Sequence, residues 1–158
     1  MSIRADILTS LLDALIAADG INGVADDQSW DFNAPPEPAP SYGRARHPFA
    51  YVYEGDEQPN DTWTTLYACT LPVTIECTYE YSRTDATQGL KPQGRELLAV
   101  IQQAVMADPN RNGHAENTIE ITNAINATAI DGIGVVVLTY QIHYVRSRRD
   151  PSSQDAAL

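Results

Sequence analysis

The stretch Leu71–Tyr81, LPVTIECTYEY, alternates along its whole length. Leu71, Val73, Ile75, Cys77, Tyr79 and Tyr81 share one parity, and Thr74, Glu76, Thr78 and Glu80 share the other. Successive side chains of a strand point to opposite faces. The pattern therefore predicts a strand with one buried face and one face that is wet or covered by a partner. Thr and Tyr also suit a pleated surface. Such a strand needs neighbours along its edges and an apolar layer over its buried side.

The rest of the chain supplies candidates for both. Gly134–Val145, GVVVLTYQIHYV, places Val136, Leu138, Tyr140, Ile142 and Tyr144 on one face and Val135, Val137 and Val145 on the other, which predicts a central strand. Pro48–Tyr53 and Asn117–Ile125 read as further strands, and extended structure from Leu66 leads into Leu71. Pro72 interrupts that run and predicts a bulge or an edge position. Residues 3–18 carry Ile3, Ile7, Leu11, Leu15 and Ala18 at helical spacing, with Ser2 as N-cap and Gly20 as stop. Leu90–Ala107 is a second helix, buried through Leu97, Leu98, Ile101, Ala104 and Val105. Ile21–Ala25 is a short extended piece, and Glu54–Thr65 is an acidic connection. The expected fold class is α+β: a four-stranded, mainly antiparallel sheet covered on one face by two helices, in the order αββαββ. The expected organisation is one domain over 1–146, with a Pro-rich loop at 28–47 and a polar C-terminal tail at 147–158.

Composition excludes more than it selects. No apolar run approaches the ~20 residues that span a bilayer, and Asp6 and Asp13 interrupt any secretory core near the N-terminus. The chain reads as soluble and made in a cytoplasm. Its 158 residues carry a net charge of −11. Up to Thr65 there are 11 acids against 3 bases, and 10 against 7 thereafter. A nucleic-acid binder needs a basic footprint, which this balance denies. Cys69 and Cys77 lie in one extended segment, roughly 26 Å apart at strand rise, too far to bridge. His47, His114 and His143 do not fall at metal-ligand spacing, and His143 reads as a hydrogen-bonded strand residue. Nucleotide, zinc and serine-hydrolase motifs are absent from the sequence. Asp108, Asn110 and Asn112 open like a calcium loop, but Ile119 stands where the distal acid is required. No catalytic residue, cofactor or metal is expected.

What remains is interface material. There are eight Tyr and two Trp, and Lys91 is the sole lysine, so the bases are nearly all arginine. Tyr and Arg favour interfaces and Lys is depleted there. Trp30, Phe32 and Tyr42 sit in the Pro-rich loop and are candidates for contact with a neighbouring chain.

In layout the chain resembles the tail terminator (tail completion) proteins of long-tailed bacteriophages. The resemblance rests on an N-terminal helix (IRADILTSLLDALIAADGING), a strand ending in an acidic-Gly turn (PFAYVYEGDE) and the alternating strand LPVTIECTYEY. It continues through the helix LKPQGRELLAVIQQAVM, an Ile-rich extended stretch and a closing strand that ends in an aromatic (VVVLTYQIHYV). It covers most of residues 3–145. It implies a non-enzymatic virion protein of the tail or neck, assembled in the host cytoplasm as a homohexameric ring. That ring caps the tail tube, ends its polymerisation and presents a surface to the head-side connector. The implied partners are other copies of the chain, the tail tube protein, the connector or neck protein, and the sheath where a tail is contractile. Genomic DNA only passes through the lumen, and no membrane is involved. Glu54, Asp56, Glu57 and Asp61, with Glu76 and Glu80, are candidates for lumen or partner-facing positions. Arg146, Arg148 and Arg149 join the loop aromatics as candidate inter-subunit contacts. Two other readings stay open: another neck or head-closure protein, and a small ligand-binding or enzymatic α+β domain.

Overall fold

The computed structural model describes residues 2–26, 47–61 and 65–154. Its elements, in chain order, are α1 (Ile3–Ile16), β1 (Gly23–Asp26), β2 (Phe49–Glu54), β3 (Gln58–Asp61), β4 (Leu66–Glu80), α2 (Leu90–Met106), β5 (Asn117–Ala127) and β6 (Ile133–Ser147). One mixed sheet holds all six strands in the order β1-β2-β4-β6-β5, with β3 also paired to β4.

This corrects the expected four-stranded αββαββ arrangement in two ways. The first is β1, from the short extended piece near Ile21–Ala25, which pairs parallel to β2 through Gly23↔Phe49 to Asp26↔Val52. The second is β3, which forms inside the expected acidic connection and pairs antiparallel to β4. Both strands are only four residues long. They are too short to show a period, and β3 carries Pro59, which is tolerated on an edge. Their existence depends on the β2 and β4 edges to which they bond, a non-local cause.

β4 and β6 are fifteen residues each and pair without a register break from Leu66↔Ser147 to Glu80↔Ile133. The other edge of β4 is shared end to end: β2 takes Val73–Thr78 and β3 takes Tyr67–Thr70. Pro72 falls at the joint. Its carbonyl accepts from the Gly55 amide at 2.8 Å. A strand residue presents its N and its C=O to the same edge, so the missing Pro72 N–H also faces this joint. The ladder to β6 therefore loses no bond, and the strand needs no bulge.

The helices lie over one face. Leu71, Val73, Ile75, Cys77 and Tyr79 of β4 and Val136, Leu138, Tyr140, Ile142 and Tyr144 of β6 are buried against Ile3, Ile7, Leu11 and Leu15 of α1 and Leu97, Leu98, Ile101 and Val105 of α2. Removing each such aliphatic side chain from water contributes ~1.5–3 kcal/mol. α1 begins as expected, with the Ser2 hydroxyl accepting from the Ala5 amide at 3.2 Å.

α2 approaches the sheet closely because two glycines make room for Tyr79. A Cβ on Gly134 would lie 2.6 Å from the Tyr79 ring, and one on Gly94 would lie 2.6 Å from its hydroxyl and 2.7 Å from Ile125. The hydroxyl donates to the Leu90 carbonyl at 2.5 Å, and burial pushes its pKa up to about 12, so it stays a donor. Gly94→Ala gains ~1 kcal/mol of helix propensity but overfills this slot at a cost of ~1–3 kcal/mol and displaces the Tyr79 hydroxyl. Urea unfolding should show the variant less stable than the parent by about 1–2 kcal/mol. An equal or higher midpoint would mean that the slot has slack.

Candidate functional site

Two regions gather the residues singled out by the sequence: the acidic end of the sheet, and the face opposite the helices.

At the acidic end, the β2–β3 turn brings Glu54 and Glu57 to the start of α1 and the end of β6. Arg4 Nε donates to Glu54 Oε2 at 2.7 Å, and its Nη2 donates to the Gly55 carbonyl at 3.0 Å. Arg146 Nη2 donates to Glu57 Oε2 at 2.8 Å, and the Tyr144 hydroxyl donates to Glu57 Oε1. The Arg146 and Arg148 guanidiniums lie 4.9 and 4.5 Å from the centroid of the Tyr67 ring, within cation–π range. Glu54, Glu57 and Arg146 are thus engaged inside the chain, where they tie α1, β2, β4 and β6 together. Asp56 is exposed in the turn between them, and Asp61 closes β3 opposite Tyr67.

The electrostatics follow from these bonds. Desolvation alone would raise the Glu57 pKa, but the bonds from Arg146 and Tyr144 outweigh it and hold the carboxyl below the ordinary value of 4.5. Burial, with the bond to Glu57, pushes the Tyr144 phenol well above its usual range. The bond to Glu57 raises Arg146.

The chain beyond β6 continues this packing. Ser147 is buried, and its amide donates to the Ser153 carbonyl at 2.7 Å. Arg148 N donates to the Thr65 carbonyl at 2.9 Å, and Ile3 N donates to the Pro151 carbonyl at 3.2 Å, at the first turn of α1. Residues 147–154 therefore fold back over the helix start. Arg149 is exposed at this corner, its amide bonded to Ser147 Oγ at 3.2 Å.

The second region is the sheet face opposite the helices. Register places Phe49, Tyr51 and Tyr53 of β2 beside Thr78, Glu76 and Thr74 of β4, and Glu76 beside Val137 of β6. The three aromatic rings form a ladder, with centroids 4.9 and 6.2 Å apart. Glu76 is half-buried there, and Glu80 is exposed at the end of β4. His143, also on this face, bonds Thr70 Oγ1 through Nδ1 at 3.2 Å, the structural role its strand position predicts. Trp30, Phe32 and Tyr42 lie outside the described residues.

A cavity of about 370 Å³ between α2 and the start of β2 is lined by His47, Glu80, Gln93 and Glu96 among others. His47 Nδ1 bonds Thr78 Oγ1 at 3.0 Å. Cys77 is buried with its thiol pushed up to about 12, and Cys69 to about 11, mainly by desolvation, so both stay protonated at neutral pH. Among the described residues, no three His, Cys, Asp or Glu side chains gather as a metal site, and no helix is long and apolar enough to cross a membrane.

Arg111 is the residue that sequence reading missed. It lies in the polar turn PNRNG, yet it is fully buried at a φ of 48°. Its guanidinium donates to the Val105 and Asp108 carbonyls, closing the C-terminal end of α2. No local pattern distinguishes such an arginine from a solvated one.

No family model matches the chain, and no curated protein matches it in sequence. Among solved structures, it is similar to a chain of the virion of a native gene transfer agent (GTA) particle. The TM-score is 0.42 at 12% identity, over 92% of this chain and 96% of that one. The likeness spans nearly the whole of both chains but is too slight to carry a function across.

The Glu57 bonds predict a pH dependence. A carboxyl with a lowered folded-state pKa adds stability above its unfolded value of 4.5, and that stability is lost as pH falls through the folded pKa. The raised Tyr144 phenol works at the other end: its contribution is complete below 10 and falls away as pH rises beyond that. Glu57→Gln should lower stability at pH 7 by about 1–3 kcal/mol and flatten the acid limb of a plot of unfolding midpoint against pH. An acid limb identical to the parent's would assign that limb to other carboxylates.

Proposed function

We propose that this chain is a structural subunit of a phage-like particle, one that forms a ring on the tail tube, ends tube polymerisation and joins the tail to the head-side connector. The observation that carries this reading is the order of the principal elements: α1, β2 with its acidic-Gly turn, the alternating strand β4, α2 after Leu90-Lys91-Pro92, Ile-rich β5 and aromatic-ended β6. Those segments are the ones on which the resemblance to tail terminators rests, with the short strands β1 and β3 set between them.

The two faces of the sheet support it. β6 has apolar residues on both faces, yet both helices pack on one. Val135, Val137 and Val145 on the other face are half-buried, the first two beside Thr78 and Glu76 and the third beside Ala68. A sheet with apolar and aromatic groups on its second face is suited to a protein that completes itself by assembly. A ring arises when one interface repeats head to tail through a rotation that closes.

Under this reading the partners are other copies, the tube protein and the connector. The exposed carboxylate of Asp56, with Asp61, is a lumen candidate. Glu76 and Glu80 mark the partner-facing side, and Trp30, Phe32, Tyr42 and Arg149 are candidates for contact with neighbouring subunits. Arg146 and Arg148, stacked on Tyr67, brace that corner. A net charge of −11 repels the phosphates of passing DNA.

Electron microscopy of the purified chain, alone and with assembled tail tubes, tests the proposal. Rings should sit at one end of the tube, and a Glu76→Lys/Glu80→Lys double variant should remain folded but occupy fewer ends. A chain that never decorates a tube end, or that binds only the portal side, overturns the terminator role. Full occupancy by the double variant removes the polar face from it.

A further inference from the structure

β5 ends the sheet, and among the described residues no strand pairs with its outer edge. An eleven-residue edge is a ready template for another strand. Proteins ordinarily guard such edges with lysine, proline, inward-pointing charge or a β-bulge, and β5 has the last two only where it bulges, at Glu120 and Ile121. Here the run Ile121–Ile130, ITNAINATAI, carries no charge and no proline, in a chain of net charge −11. From Ile121 to Ala127 every residue but Ile125 is exposed, on both faces of the strand.

The one charge within β5, Glu120, points inward and guards only the start of the edge; the β5 residues after it carry no charge. Its carboxylate accepts from Gln102 Nε2 at 3.0 Å and from the Tyr140 hydroxyl at 3.3 Å, on the helix side. The register shift between Glu120 and Thr122 leaves Ile121 as the extra residue, 48% exposed. Ile119 and Ile130 are each 40% exposed, so three of the five exposed large apolar side chains among the described residues fall on this strand and its turn. Ile125, by contrast, packs inward toward Gly94 of α2 and fixes the strand in place.

We propose that the outer edge of β5 is an assembly edge, which receives an extended segment of a second copy of this chain by strand addition. The choice of a second copy rests on the ring reading above and on charge. Two copies each at −11 repel over most of their surfaces, and this uncharged edge is a place where they meet without opposing carboxylates. Main-chain hydrogen bonds supply the affinity, and Ile119 and Ile121 supply the apolar contact.

The test is the mass in solution of the full chain by light scattering after size exclusion. The parent should run as an assembly of several 17.3 kDa chains. Ile121→Glu with Ala124→Glu adds two charges at exposed positions. It should keep the parent's far-ultraviolet circular dichroism while weakening assembly at least about tenfold, ~1.4 kcal/mol. Ile16→Glu, on α1 and 64% exposed, is the control and should assemble as the parent does. The proposal is overturned if the double variant assembles like the parent, if the Ile16 variant dissociates equally, or if the parent is a single chain at all concentrations. Tube capping measured in parallel separates the two ideas. An assembly that depends on β5 but never caps tubes upholds the edge and removes the tail role. A ring that caps tubes with or without the added charges does the reverse.

Discussion

The unbroken ladder between β4 and β6 is the constraint from which the rest of the molecule follows. Fifteen residue pairs in one register commit every side chain of both strands to a face. A slip of one residue would carry Val73, Ile75, Leu138 and Tyr140 across to the face opposite the helices, at the loss of most of the core. With the register fixed, the far edge of β4 must be filled. Two short strands fill it, and Pro72 sits at the joint between them, where a missing amide costs no ladder bond. The far edge of β6 takes β5, and the helices settle where the buried parity points.

The sequence was legible where a pattern repeats often enough to reveal a period. Leu71–Tyr81 and Gly134–Val145 alternate over a full strand, and both helices carry apolar stripes several turns long, so each was found close to its observed place. β1 and β3 were not found as strands because four residues show no period. Parallel pairing of β1 with β2 was also out of reach, since it depends on what lies across from a segment rather than on the segment itself. The expected four-stranded sheet failed for that reason. The same limit applies to charge. Glu54 and Glu57 read as loop acids, and only their approach to Arg4, Arg146 and Tyr144 shows them bonded. Arg111 sits in a polar turn with no local pattern to mark it, and it is buried.

The two ends of the molecule are therefore differently made. At the Glu57 end, ion pairs, a phenol bond and a tyrosine flanked by two arginines join helix, turn and both long strands, and the chain after β6 folds back over them. At the β5 end, the sheet stops on a strand that carries no charge beyond Glu120 and has exposed isoleucines. The face opposite the helices is half apolar and carries an aromatic ladder. A chain so disposed has a braced corner, a partly apolar second face and, among the described residues, an unpaired sheet edge; under the ring reading these are the parts from which a repeating interface is built.

Hydrogen exchange on the full chain across a range of concentrations reads this account most directly. The central claim is that the β4–β6 ladder holds the fold by itself while the β5 edge is completed by assembly. Amides of β4 and β6 should then exchange slowly at every concentration, and those of 121–127 should become slow only as the protein assembles. Amides of 121–127 that exchange at the same rate from the most dilute to the most concentrated sample would contradict it.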